Sequence, residues 1–394
     1  MRVSLFYGSL FLFLAVSSVH GQARRDNNKI DFIVEQKNAT QILDSMFTNY
    51  DYRIRPSFGE RSVNVNMTLY VLGFHKLDES NKEFTIQIYF RREWLDHRLH
   101  YNGNKRILLD GDHGVKVWTP DLFIVNEVGV KKHQYAKNNE LLIFSPNGTV
   151  KISERVTITA TCPMELRHYP FDSQTCTLEI ESFGHSTSDI MLNWALGQQQ
   201  SVGVSSDAMG ANGFTFLGHR ASGTIIQLKS GNYSRVWVEF AFTRKWAWHL
   251  WTTHIPLTLF SLLSIVPLLS VFKTTGLKSI SPGWKLLPTS LAYLTGLFVY
   301  KNLDNENGYV YARVYVYLNW TFVGITFIGW ICMCYISNAA MYLKQADGQR
   351  RSTLKKEAPA ISTLVLLILV NFAYWTCLFW EISNDDSLSG LISA

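Results

Sequence analysis

Two cysteines, Cys162 and Cys176, bracket thirteen residues, PMELRHYPFDSQT, in a chain of 394. That interval allows a short disulfide, and disulfides persist in oxidising compartments. Closing a loop of about 15 residues would stabilise a fold by roughly 3 kcal/mol. The middle of the interval, Tyr169-Pro170-Phe171-Asp172, is an apolar, turn-forming tip ended by a charge, suited to touching another surface. The interval also divides the chain. Residues on its N-terminal side alternate like β strands, and residues on its C-terminal side lead into long apolar runs. The other three cysteines, Cys332, Cys334 and Cys377, lie in those runs, where a free thiol acts as a small hydrophobe.

Residues 1–21 read as a signal peptide: Arg2 supplies the positive start, Leu5 to Val16 the apolar stretch, and Val19-His20-Gly21 the cleavage region. Twelve or so apolar residues are too few to span a bilayer. Residues 22–60 are polar, with a short helix expected near Ala39–Met46 and a turn at Pro56 to Gly59. From 61 to 244 the pattern has period two, as in Val63–Leu72 and Phe84–Phe90. Further strands are expected near 139–145, 149–161, 175–183, 213–218, 222–229 and 235–243. Many short strands at this spacing predict an all-β sandwich of immunoglobulin-like layout over 22–245. Sequons at Asn38, Asn66, Asn147 and Asn232 fit glycosylation of an extracellular domain, whereas the Asn319 sequon lies in an apolar run and is read as unused.

Four apolar segments come next, at about 246–272, 284–303, 314–338 and 359–381, and predict a four-helix transmembrane bundle. The second is short and interrupted by Pro288. Lys273, Lys278 and Lys285 flank the first connecting loop, and the short loop 341–358 is also basic. The remaining loops carry Asp304, Glu306, Asp385 and Asp386. Positive-inside counting therefore places both basic loops in the cytoplasm, and the N-terminal domain and the 382–394 tail outside a cell membrane. Twelve tryptophans suit membrane interfaces and aromatic-lined pockets.

No catalytic arrangement is present: no GxSxG, no P-loop, no HExxH and no compelling carboxylate pair, which argues against an enzyme. No Cys or His cluster has metal-site spacing, and no cofactor motif occurs. A net charge of +6 without a basic-aromatic stripe gives no reason to expect nucleic acid.

The informative features are aromatic and positional. Trp118-Thr119-Pro120-Asp121 is followed by Asn126, and Tyr89-Phe90-Arg91-Arg92-Glu93-Trp94-Leu95-Asp96 by Arg98-Leu99. Alternation puts Tyr89 and Arg91 on one face. Ile180-Glu181-Ser182-Phe183-Gly184-His185 ends a strand, and Gly231-Asn232-Tyr233-Ser234 lies between two expected strands. With the cysteine interval, these stretches resemble the Cys-loop, or pentameric ligand-gated ion channel, family. The likeness is nearest to glycine- and GABA-receptor-like anion-channel subunits of invertebrate type, and covers about residues 30–270.

The resemblance implies a Cys162–Cys176 disulfide and a homo- or hetero-pentamer with a small-molecule agonist between subunits. Phe123, Glu181, Phe183 and Tyr233 would line one side, and Tyr89, Arg91 and Ser153 the other. Arg91 would hold a ligand carboxylate, since a planar guanidinium suits bidentate recognition. An aromatic cage beside Glu181 would suit an ammonium, at about 0.5–2 kcal/mol per good contact. The expected agonist is therefore an amine or amino acid. His185, at a position often aromatic, keeps a proton or zinc among the alternatives. Pro170, Phe171 and Asp172 at the loop tip, with Arg244, would couple binding to the membrane. The chain lacks the second disulfide of glycine-receptor-like subunits. It departs most in the second apolar segment, where Trp284 stands in place of the family's Arg, with Lys285 next, and Pro288 intervenes. Lys285, Thr289, Ser290, Tyr293, Leu294 and Leu297 are the candidate pore-lining positions, and the positive Lys278 and Lys285 favour anions. This departure motivates a second reading, a non-conducting or accessory subunit. A membrane-anchored adhesion or enzyme ectodomain is the third.

Overall fold

A computed structural model describes residues 38–111, 114, 116–256, 258–259 and separate helical positions between 290 and 380. The expected signal peptide, the 341–358 loop and the 382–394 tail lie outside the described residues, as does most of the four apolar segments. Among the described residues no helix is long and apolar enough to cross a membrane. Of the pore-lining candidates, only Ser290 and Leu294 are described; both are helical and exposed.

A helix, α1, covers residues 38–47 and leads through a turn in which Ser57 and Gly59 take positive φ. Twelve strands come after it among the described residues: β1 (Val63–Asp78), β2 (Glu83–Leu95), β3 (Ile107–Asp110), β4 (Leu122–Ile124), β5 (Glu127–Lys132), β6 (Glu140–Phe144), β7 (Thr149–Thr161), β8 (Ser173–Ser182), β9 (Ile190–Trp194), β10 (Val202–Val204), β11 (Phe214–Leu228) and β12 (Gly231–Arg244). They form two sheets. One runs β10-β1-β2-β7-β6-β3, with β9 also on β1 and β5 also on β7; the other runs β11-β12-β8-β4.

The sandwich results from alternation. In β2, Phe84, Ile86, Ile88, Phe90 and Trp94 face inward, and in β12 Val236, Val238, Phe240 and Phe242 do the same. Each such side chain contributes roughly 1.5–3 kcal/mol on full burial. Phe74 of β1 joins the layers, with ring centroids 5.1, 5.4 and 4.9 Å from Phe216, Phe240 and Phe242. Trp94 and Trp118 meet edge to face at 5.8 Å.

Two expectations are corrected. Residues 213–218 and 222–229 are one strand, β11: Gly218 marks a register shift against β12, a bulge rather than a turn. The hairpin turn is Lys229-Ser230, and Asn232, Tyr233 and Ser234 already pair with β11. Six strands have three to six residues; β6 matches the expected 139–145, whereas β3, β4, β5, β9 and β10 were not read, since so few positions show little period in sequence.

Cys162 and Cys176 are bonded and fully buried, with Cα atoms 4.9 Å apart. Cys162 comes just after β7 of the larger sheet and Cys176 lies in β8 of the smaller, so the bond ties the layers together. Replacing both by serine should cost about 3 kcal/mol. Thermal unfolding of the purified chain would show a lowered midpoint; an unchanged midpoint would mean that packing alone holds the layers.

Candidate functional site

Three groups of side chains stand out. The first is on the outward face of the larger sheet. Register aligns Thr68, Arg91 and Ser153 in one row across β1, β2 and β7, and Tyr70, Tyr89 and Arg155 in the next. Tyr70 and Tyr89 stack at 6.4 Å, and the Arg91 guanidinium lies 5.7 Å from the Tyr89 ring centre. A cavity of about 460 Å³ opens here, lined by Tyr89, Arg91, Glu140, Leu141, Ser153 and Arg155 among others. Arg92, Arg220, Arg235 and Arg244 all hold carboxylates. Arg91 holds none among the described residues. Thr68, Tyr70 and Arg155 escaped the sequence reading because their place beside Arg91 depends on strand register.

The second group is on the outward face of the smaller sheet. Phe123 of β4 pairs with Glu181 of β8, and its ring meets Phe183 edge to face at 5.7 Å. Phe183 is 79% exposed. Asp121 holds the turn that carries it: Ser182 Oγ and the Gly184 N–H donate to its carboxylate at 2.6 and 2.7 Å. The Phe183 N–H donates to the Asp121 carbonyl at 3.1 Å. Asn126 donates to the carbonyls of Thr161 and Thr177 at 3.1 and 2.7 Å, joining the ends of both layers. Tyr233 lies on β12 opposite Ile226, with its hydroxyl donating to Ser230 Oγ at 3.1 Å.

Glu181 is buried and already has a partner. Arg235, opposite it on β12, donates Nε to Glu181 at 2.7 Å and Nη1 to Glu179 at 2.5 Å. Two carboxylates thus share one guanidinium, which leaves the trio net negative. Arg235 was not read from the sequence, because 54 residues separate it from Glu181.

Asp121→Ala should cost about 1–3 kcal/mol by stranding the buried Ser182 hydroxyl. Ligand titration should show weakened binding as the Phe183 turn loosens; unchanged affinity would mean that Asp121 does not hold the ring in place.

These two groups occupy outward faces of different sheets, with the core between them. One chain does not bring them together.

The third group is at the end of the sandwich where β12 meets the first apolar segment. Arg244 donates Nε and Nη2 to the two carboxylate oxygens of Asp172, at 2.6 and 2.9 Å, and Nη1 to Glu79 at 2.6 Å. Its guanidinium lies over Tyr169 at 4.9 Å and Phe214 at 4.4 Å. Burial works against the Arg244 charge, but the hydrogen bonds it donates to Asp172 and Glu79 outweigh that and raise the pKa above its ordinary value. Burial also pushes the Tyr169 phenol up to about 12. Glu79, in the β1–β2 turn, was missed; 165 residues separate it from Arg244. The loop tip is packed on aromatic rings: Tyr169 Oη is 2.6 Å from His249 Nδ1, and Phe171 lies 5.6 Å from Trp246 and 6.3 Å from Trp375. Pro170, preceded by a cis peptide bond, is buried beside them.

The four sequons read as glycosylation sites, Asn38, Asn66, Asn147 and Asn232, are exposed, and Asn319 is buried. Among the described residues no three metal-binding side chains converge.

Residues 39–246 match the neurotransmitter-gated ion-channel ligand binding domain. The chain belongs to this family, whose members are ion channels rather than enzymes. It is similar to the gamma-aminobutyric acid receptor subunit alpha-3 of Bos taurus and of Homo sapiens, 34% identical over 228 residues in each case. The Rattus norvegicus subunit is equally similar. The match covers 58% of this chain and 46% of each relative, so the chain spans about half the length of the curated relatives it matches.

Proposed function

We propose that the chain is a subunit of a pentameric, anion-selective channel of the cell membrane, gated by a small extracellular amino acid. The observation that carries this is the division of the site. One outward face bears Arg91, with no carboxylate of its own among the described residues, beside Ser153 and Tyr89. The other bears Phe123, Phe183 and Tyr233 around the net-negative Glu179, Glu181 and Arg235 trio. A ligand with a carboxylate at one end and an ammonium at the other fits the two faces when neighbouring subunits bring them together. The relatives' name points to gamma-aminobutyric acid as the first candidate. One chain carries both faces, so identical copies can complete the site. Bound ligand would draw the β11–β12 hairpin inward, and β12 ends at Arg244, which grips the Asp172 loop. Such coupling needs a ligand that prefers one of two arrangements of that junction.

A second reading, a non-conducting or accessory subunit, is favoured by Trp284 and Pro288 in the second apolar segment. Voltage-clamp recording of the chain expressed alone, with amines and amino acids, pH and zinc varied and chloride then replaced, separates the two. Ligand-evoked current reversing near the chloride potential supports the first. Silence with verified surface expression, reversed by an ordinary anion-channel second segment, supports the second.

A further inference from the structure

The alternation of β7 breaks at one position. Val150, Ile152, Val156, Ile158 and Ala160 are buried on its inward side, and Glu154, 7% exposed, stands in the same row. The neighbouring strand β2 breaks in the same way, with Arg92 between the inward Phe90 and Trp94. Buried charges are costly unless paired, and a departure from an otherwise consistent pattern marks a function or a strain.

The two exceptions meet. Arg92 Nη2 donates to Glu154 Oε2 at 2.6 Å, and Lys132 Nζ of β5 donates to Glu154 Oε1 at 2.9 Å. Glu140 of β6 lies directly across from Glu154 in register. β2, β5 and β6 therefore converge on one carboxylate of β7. Burial opposes its charge, and Arg92 and Lys132 outweigh that, holding the Glu154 carboxyl below its usual range.

Arg91 and Arg92 are neighbours of one chemistry, and a one-residue slip of a strand exchanges its two faces. The apolar row from Phe84 to Trp94 sets the phase of β2 with Arg91 outward, so Arg92 is the one charge on its buried side, and without an acid partner it would reach water through a local bulge that turns Arg91 out of its row. We propose that Glu154 is a positioning residue for the ligand half-site: by holding Arg92 inward, it keeps Arg91 outward beside Ser153. Glu154 itself touches no ligand. Its functional weight rests on the reading of Arg91 as the carboxylate holder.

The test is thiol labelling of the full chain, which needs no agonist. Arg91→Cys is labelled with a negatively charged methanethiosulfonate, with the unmodified chain as background and Thr68→Cys as a control on the same face. Adding Glu154→Gln should slow labelling at 91 by about tenfold or more, as the released Arg92 competes for the outward side, while labelling at 68 stays constant. Glu154→Asp, which keeps the charge, should retain the original rate. Labelling at 91 that stays constant or quickens with Glu154→Gln overturns the proposal, because mere loosening exposes both positions. A separate titration of Arg91→Ala with gamma-aminobutyric acid keeps the two questions apart. If Arg91→Ala leaves affinity unchanged while the labelling result holds, the ligand reading fails and the positioning role stands. If Arg91→Ala abolishes binding and labelling is unmoved, the positioning role alone fails.

Discussion

Arg91→Ala is expected to weaken an amino-acid agonist by about 2–5 kcal/mol, or roughly 30- to 4,000-fold in affinity. The reason is an asymmetry between neighbours. Arg92 spends its charge on Glu154, whereas Arg91 has no carboxylate among the described residues and borders a cavity of about 460 Å³. A ligand carboxylate would supply the missing partner, and a guanidinium can meet it with two parallel hydrogen bonds. Arg91→Lys should recover only part of the loss, because it keeps the charge and gives up the planar fork. The same asymmetry sets the stability of the variants. Removing Arg91, which is half-buried and contacts the Tyr89 ring, breaks no ion pair among the described residues, so Arg91→Ala should cost only about 0.5–1 kcal/mol, the scale of the lost cation–π contact. Equilibrium binding and thermal unfolding of the same preparations check both halves. Retained affinity would remove the carboxylate role, and a large stability loss would show that Arg91 is structural.

The second large effect is expected at the membrane end. Asp172 and Arg244 are almost fully buried and joined by two hydrogen bonds. Breaking a buried pair by removing one partner costs about 3–5 kcal/mol, since the other charge is left without compensation. Asp172→Asn keeps the Glu79 bond to Arg244 and should stand at the low end. Arg244→Gln leaves two carboxylates facing one another and should be the worse of the two. Exchanging the pair, Asp172→Arg with Arg244→Asp, should not fully restore stability, because Glu79 would then face an acid. Thermal unfolding ranks the three variants. Agonist-evoked current at saturating ligand, measured at matched surface expression, reports coupling separately. Full rescue by the exchange would mean that Glu79 contributes little and the contact is a simple pair.

Much of this architecture is legible in local pattern. Alternation from Thr149 to Thr161 marks β7, and the same periodicity places Tyr89 and Arg91 on one face. The cysteine interval and the Trp118 to Asp121 turn point to a family that the match over residues 39–246 establishes. Gly218 and Gly231 mislead in opposite directions. One looks like a turn and is a bulge; the other looks like part of a turn and lies just beyond it.

What the chain by itself determined is whatever repeats every second residue or sits inside one short stretch: the strands of ten residues or more apart from β11, the disulfide loop, the inward and outward sides of β2 and the tip from Tyr169 to Asp172. The tertiary structure decided how charges are shared. Glu181 shares Arg235 with Glu179, Arg244 reaches back to Glu79, and Glu154 engages Arg92. It also decided that the two halves of the candidate site face away from each other on different sheets. The physical reason is that periodicity belongs to a single strand. Charge pairing belongs to the register between strands, and register is chosen by the buried core as a whole rather than by any segment within it.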